Sequence, residues 1–116
     1  MVNSTVLVGK VKEVPQIRIT SAGAKMATML LEVNRSFRNS NGEFDRDLFS
    51  VVLWRGVAET CSELLKPGSL VAVRGRLQAH NYEPKEGQMY YNAEVVAEKV
   101  TFLTSGVQED LIPYTV

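Results

Sequence analysis

Enzymatic raw material is scarce in this chain. His80 is the only histidine among 116 residues, so no second imidazole can complete a metal pair. The single cysteine, Cys61, excludes an internal disulfide framework, and it falls in an apolar stripe where a thiol is core rather than nucleophile. Glycine-rich phosphate loops, Gly-x-Ser-x-Gly and HExxH are all missing. No apolar run approaches the roughly 20 residues that cross a bilayer. The N-terminus lacks a basic segment followed by an apolar one. These absences point to a cytoplasmic, non-catalytic protein with no metal and no cofactor. Net charge is absent too, with 13 Lys and Arg against 13 Asp and Glu. Taken alone, that argues against a nucleic-acid partner. The distribution softens the objection: residues 1–82 hold 11 Lys and Arg against 7 Asp and Glu, and residues 83–116 hold 2 against 6. A local basic surface attracts phosphate even when the whole chain is neutral.

What is present is alternation. In Pro67–Tyr91, Val71, Val73, Gly75 and Leu77 share one parity, and Arg74, Arg76, Gln78, His80 and Tyr82 the other. A period of two means a strand with one face in a core and one in water. Glu83–Gly87 is turn-rich, and a second strand starts at Gln88. The segment reads as a long two-stranded arm with cations and aromatics on its outer face, suited to something anionic and flat.

The rest of the chain completes a barrel. Asn3–Val11 is a first strand, interrupted by Gly9 in the manner of a bulge or sharp bend. Pro15 breaks it. Gln16–Thr20 is a short alternating piece, and Ser21–Gly23 a turn. Lys25–Phe37 and Phe44–Trp54 are strands joined through Asn41-Gly42, a strong hairpin signal. Val57, Ala58, Cys61, Leu64 and Leu65 then recur at helical spacing, and Lys66-Pro67-Gly68 ends that helix. Ala93–Leu103 is a closing strand. Thr104–Val116 has no clear period and reads as a short disordered tail. The expected fold is all-β, a five-stranded OB-fold barrel over residues 1–103, with one α-helix between strands 3 and 4 and a long protruding hairpin.

Rings and cations cluster along these strands. Phe37, Trp54, Tyr82 and Tyr91 stand at or near strand ends, with Arg35, Arg38, Arg55, Arg74 and Arg76 close by. Flat rings stack on unpaired bases and cations follow the backbone, the two needs of single-strand binding. Pattern alone leaves Trp54 evenly divided between core and surface, because it shares parity with Leu48 and Val52. Phe37 shares parity with Val33 and is open to the same reading. Glu43, Asp45 and Asp47 gather at a turn, where a solvated hairpin tip explains them better than a cation site.

An ordered set of motifs then resembles the bacterial single-stranded DNA-binding proteins: Asn3–Lys10, Pro15-x-Ile17-Arg18, Ala27-Thr28, Val33–Phe37, Asp47, Val52–Arg55, Ala58-Glu59, Lys66–Leu70, Gly75–Leu77, Asn81–Glu83, Gly87-Gln88, Tyr91 and Glu94–Ala97. The resemblance spans residues 3 to about 103 and implies sequence-nonspecific binding and protection of single-stranded DNA in replication, recombination, repair or DNA uptake. It implies a homotetramer, a dimer of dimers pairing through the edge strand Asn3–Gly9, and a nucleoid-associated location. By matching position, Phe37, Trp54 and Tyr82 would stack on bases, and Lys10, Arg18, Arg35, Arg55, Arg74 and Arg76 would meet phosphates. Tyr91 joins them as a further candidate.

The chain also departs from that pattern. Gln78, Ala79 and His80 stand where the family usually adds basic residues, and Leu48 where it often has a ring. Fewer cations imply weaker or more salt-tolerant binding. Partner-recruiting members end in a long linker and an acidic tip closing on Pro-Phe. Glu109–Tyr114 resembles that tip but is followed by Thr115-Val116, so recruitment of replication or repair proteins is expected to be lost or altered. Two other readings stand beside this one: an OB-fold replication-restart or assembly factor acting mainly through protein contacts, and an enzyme or sugar-binding OB module.

Overall fold

One strand changes partners halfway along, and this closes the sheet. The computed structural model describes residues 1–104. Strand β1 (Thr5–Glu13) pairs antiparallel with β5 (Leu70–Lys85) from Thr5↔Gly75 to Lys10↔Leu70. From Lys10↔Glu32 onward it pairs with β3 (Lys25–Arg38). The remaining order runs β5, β6 (Gln88–Thr104), β4 (Phe44–Trp54), β3 and the two-residue β2 (Arg18–Ile19). All pairings are antiparallel except β4 with β6, through Val51↔Val95 and Val52↔Val96. Five long strands close into a barrel, with β2 appended to β3. The tail expected at 104–116 lies outside the described residues, apart from the backbone of Thr104.

Of the positions the alternation marked on the arm strand, Val71 and Val73 face inward. Val11, Met29, Leu31, Val51, Leu53, Val71, Val73 and Val95 are buried almost completely, each contributing about 1.5–3 kcal/mol of apolar burial. Helix α1 (Arg55–Leu64) plugs one end with Ala58 and Cys61, and Leu65 follows just beyond it. Leu64, expected on that stripe, is 52% exposed; only part of a short helix can face the barrel. Ser69 is buried and locks the following turn: its hydroxyl accepts from Lys66 N–H (3.0 Å), while its carbonyl accepts from Val11 N–H (2.9 Å).

Three boundaries differ from the sequence reading. Gly9 is not a bulge; the irregularity in β1 falls between Val11 and Glu13. Gly9 is needed because β3 runs so close that a Cβ would collide with the Glu32 carbonyl. The β3–β4 connection is not a two-residue turn with both residues at positive φ. Gly42 alone is left-handed (φ 78°), Asn39 C=O accepts from Gly42 N–H (3.0 Å), and Asn39 Oδ1 accepts from Asn41 N–H (2.8 Å) and Glu43 N–H (3.1 Å). That is a three-residue loop organised by an Asn side chain. Finally, β6 is one continuous strand from Gln88, not a separate strand beginning at Ala93, because the arm is the unbroken extension of β5 and β6 beyond the barrel.

The arm leaves the barrel at Leu77, which is 49% exposed although its parity marks it as core. Asn3 marks the departure: its Nδ2 donates to Leu77 C=O (2.8 Å) and its Oδ1 accepts from Leu77 N–H (2.9 Å). A side-chain amide thus extends the β1–β5 ladder past the end of β1.

Gly75 tests the closure. A bulge at Glu98 sets Gly75 opposite Ala97, and a Cβ at Gly75 would collide with the Val96 carbonyl. Gly75→Ala is expected to cost about 2 kcal/mol or more in a thermal melt. Gly56→Ala, with open space around it, should be neutral or gain up to about 0.5 kcal/mol. Equal effects of the two substitutions would contradict this account of the close approach.

Candidate nucleic-acid interface

Cross-strand partners share a face, so the register sorts the candidate residues. On the outer face of β3 and β4 they form rows: Arg38 with Phe44, Asn34 with Arg46, Glu32 with Leu48, Leu30 with Ser50, Thr28 with Val52, and Met26 with Trp54. Two of the rows gain a cation from a further strand. Arg18 of β2 opposes Met26, giving Arg18–Met26–Trp54. Lys10 of β1 opposes Glu32, giving Lys10–Glu32–Leu48. From Phe44 to Trp54 this face runs for about 34 Å at the usual strand rise.

Trp54 is 39% exposed on the outer face. Sequence parity could not decide this. The indole has Leu48 and Val52 on its own side, but that side is outside the barrel, and Val51 and Leu53 fill the core. Arg18, in the same row, is exposed and has no carboxylate partner among the described residues. Phe37 is 63% exposed, in the irregular stretch between the Asn34–Arg46 and Arg38–Phe44 pairs. Beside it the Arg38 guanidinium covers the Phe44 ring at 4.5 Å and donates to Gly42 C=O (2.7 Å). Phe44, 41% exposed, is a ring the sequence reading passed over; only the hairpin register brings it beside Arg38.

The cations divide into two groups. Lys10, Arg55, Arg74 and Arg76 are exposed and, like Arg18, lack a carboxylate partner among the described residues. Arg55 opens α1 at φ 52°, a left-handed conformation uncommon for a side-chain-bearing residue, where the chain turns sharply from β4 into the helix. Arg35 differs. Its parity puts it with Val33 and Asp47, and Asp47 takes its guanidinium by two nitrogens (Nη2–Oδ1 3.0 Å, Nε to both oxygens 3.2 Å). That hydrogen bonding, reinforced by charge, raises the Arg35 pKa and holds the Asp47 carboxyl below its usual range. Arg35 is therefore engaged away from the row of Trp54 and Arg18.

The arm is two-faced. Tyr82 opposes Tyr90, and the two rings stack with centroids 5.4 Å apart and planes 22° from parallel. By alternation along β5 they share the face of Arg74 and Arg76. Tyr91 opposes Asn81, on the other face, and is 77% exposed. Tyr82 and Tyr91, both candidates from the sequence, lie on opposite faces; Tyr90 is the ring that joins Tyr82. Counting back from the Lys85↔Gln88 pair would set Tyr82 opposite Tyr91; the irregularity between Tyr82 and Lys85 moves its partner to Tyr90.

No group of His, Cys, Asp or Glu suited to a metal occurs among the described residues. Of the hairpin carboxylates, Asp45 accepts from Asn39 Nδ2 (3.0 Å) and Asp47 is held by Arg35. Burial pushes the Cys61 thiol up to about 11, so it stays protonated and packed in the core. No described helix is long and apolar enough to cross a membrane.

Comparison with known proteins gives a consistent result. Residues 2–103 match the Single-strand binding protein family. Single-stranded DNA-binding protein 3 of Listeria innocua is 47% identical over 105 residues, covering 90% of this chain and 66% of the relative. Single-stranded DNA-binding protein 1 of Staphylococcus aureus is 43% identical over 115 residues, covering 96% of this chain and 74% of the relative. The chain thus spans roughly two-thirds to three-quarters of these relatives. Among solved structures, a Plasmodium falciparum SSB complex with ssDNA superposes with a TM-score of 0.76 at 24% identity, covering 90% of this chain and 96% of that one.

The Arg35–Asp47 pair carries a pH signature. A lowered carboxyl pKa contributes stability above its ordinary value of 3.8 and loses it as pH falls through the lowered value. Wild type should melt slightly above Asp47→Asn at neutral pH, and the gap should close in acid. A gap that persists to the lowest accessible pH would contradict the assignment.

Proposed function

The chain belongs to the single-strand binding protein family, and from that premise we propose that it binds single-stranded DNA without sequence preference. Bases would stack on Trp54, Phe37 and the Tyr82 arm face while Lys10, Arg18, Arg55, Arg74 and Arg76 follow the phosphates. The observation that carries this reading is the row Arg18–Met26–Trp54, which puts a cation without a carboxylate partner among the described residues and an exposed ring on one outer surface, two strands apart. Strands are spaced about 4.8 Å apart, so the guanidinium and the indole are within reach of one nucleotide. In this reading residues 1–103 are the binding unit, acting in the cytoplasm during replication, recombination, repair or DNA uptake. Tyr91 would act from the opposite arm face, and Arg35, its charge met by Asp47, would contribute least.

Self-assembly belongs to the same proposal. Val6 and Val8 are 64% and 49% exposed on β1, and before Lys10 that strand is paired on one side only. An apolar strand with an open edge favours pairing with another copy, so the reading includes a homotetramer built as a dimer of dimers. Sedimentation with and without oligothymidine should give a mass of four chains that persists when DNA binds. A monomer under both conditions would refute the assembly.

Affinity tests the binding mode. Stacking contributes about 1–3 kcal/mol per base, so Trp54→Ala and Tyr82→Ala should each weaken labelled oligo-dT binding, measured by anisotropy, by that amount. A phosphate contact on a single strand adds about 0.7 to the salt slope. Arg18→Ala should remove about that much, and Arg35→Ala distinctly less, its charge being already met by Asp47. Unchanged binding in both ring variants would favour the assembly-factor reading.

A further inference from the structure

The middle of the β3–β4 outer face holds a carboxylate in the midst of its cations. Glu32 accepts Lys12 Nζ on one oxygen (3.5 Å) and Arg46 Nη1 on the other (3.3 Å). Lys10 is its cross-strand partner. Its side chain is only 18% exposed, whereas those of Lys12 and Arg46 are 55% and 63% exposed. The acid is thus tucked beneath basic ends that reach into solvent. Val8, Gly9, Lys10, Glu32, Asn34, Arg46 and Leu70 line a groove of about 370 Å³ here. Across the strand from Glu32 stands Leu48, not a ring. The rings of the face, Phe44 and Trp54, lie to either side along β4.

We propose that Glu32 is an affinity-setting residue: a resident carboxylate that occupies Lys12 and Arg46 in place of a phosphate and so weakens the centre of the binding face. This rests on the single-strand reading above. The Lys12 and Arg46 ends lie in solvent, where an ion pair holds them only weakly, so both can swing from Glu32 to a phosphate. The carboxylate stays behind when they do. A phosphate placed between the two cations then stands beside a fixed negative charge that repels it. The cluster presents less effective positive charge than its cations suggest, and fewer counterions are released when DNA arrives. Ends of the face grip through rings, and the middle yields.

Glu32→Gln tests this. The substitution keeps shape and removes the charge. Glu63→Gln, at an exposed helix position with no ion pair among the described residues, controls for net charge. Binding of poly-dT is followed through Trp54, the chain's one tryptophan, at several NaCl concentrations, with circular dichroism melts to verify folding. Glu32→Gln should bind roughly three- to tenfold more tightly near 0.1 M salt, and its salt slope should steepen by about 0.7–1.4, one or two phosphates. Adding Arg46→Gln to Glu32→Gln should erase most of that gain, whereas Arg46→Gln alone should do little. If Glu32→Gln matches Glu63→Gln or binds more weakly, Glu32 merely positions the cations and this proposal falls while the binding reading stands. If wild type fails to bind poly-dT at low salt, both fall.

Discussion

The change of partner at Lys10 is the constraint on which the molecule depends. Before it, β1 continues the sheet of β5 and β6; after it, β1 completes the ladder of β3 and β4. Only a strand without a side chain at Gly9 can pass so close to the backbone of Glu32. Once the sheet closes, every strand has an inner side that fills the barrel and an outer side, and the alternation of each strand acquires a fixed meaning. Gly75 plays the corresponding part on β5, where the bulge at Glu98 presses β6 against it.

Closure also decides which charges meet. Lys10, Lys12 and Arg46 come from β1 and β4, far apart in sequence, yet they surround one carboxylate of β3. Arg18 reaches the row of Trp54 only because two residues of β2 add to the edge of β3. Arg35 looks in sequence like one more cation beside Phe37, but its parity turns it to Asp47. Counting basic residues therefore overstates the charge this face can offer to a phosphate, and the pairing within the fold corrects the count.

The arm shows how far a period of two can be trusted. Alternation along β5 continues from Val71 through Tyr82, but its physical consequence changes at Leu77. Below that residue odd positions are core; above it both faces are exposed. Asn3 marks the boundary by satisfying both backbone groups of Leu77. Beyond it, stacking of Tyr82 on Tyr90 takes the place of burial as the contact that joins the two strands.

Much of this was legible in the chain itself. The order of strands and helix, the core parity of Val71 and Val73, the hairpin at Asn41-Gly42, the turn after α1 and the inert Cys61 follow from local rules: a period of two or 3.6, and residues that can or cannot adopt a turn. Those rules act over a few residues, so sequence determines them. The sequence could not decide whether Trp54 is core or surface, which ring faces Tyr82, or which cations are already neutralised. Each is a question of register between distant strands, and register is set by closure of the barrel, where shifting a strand by one residue exchanges inside for outside.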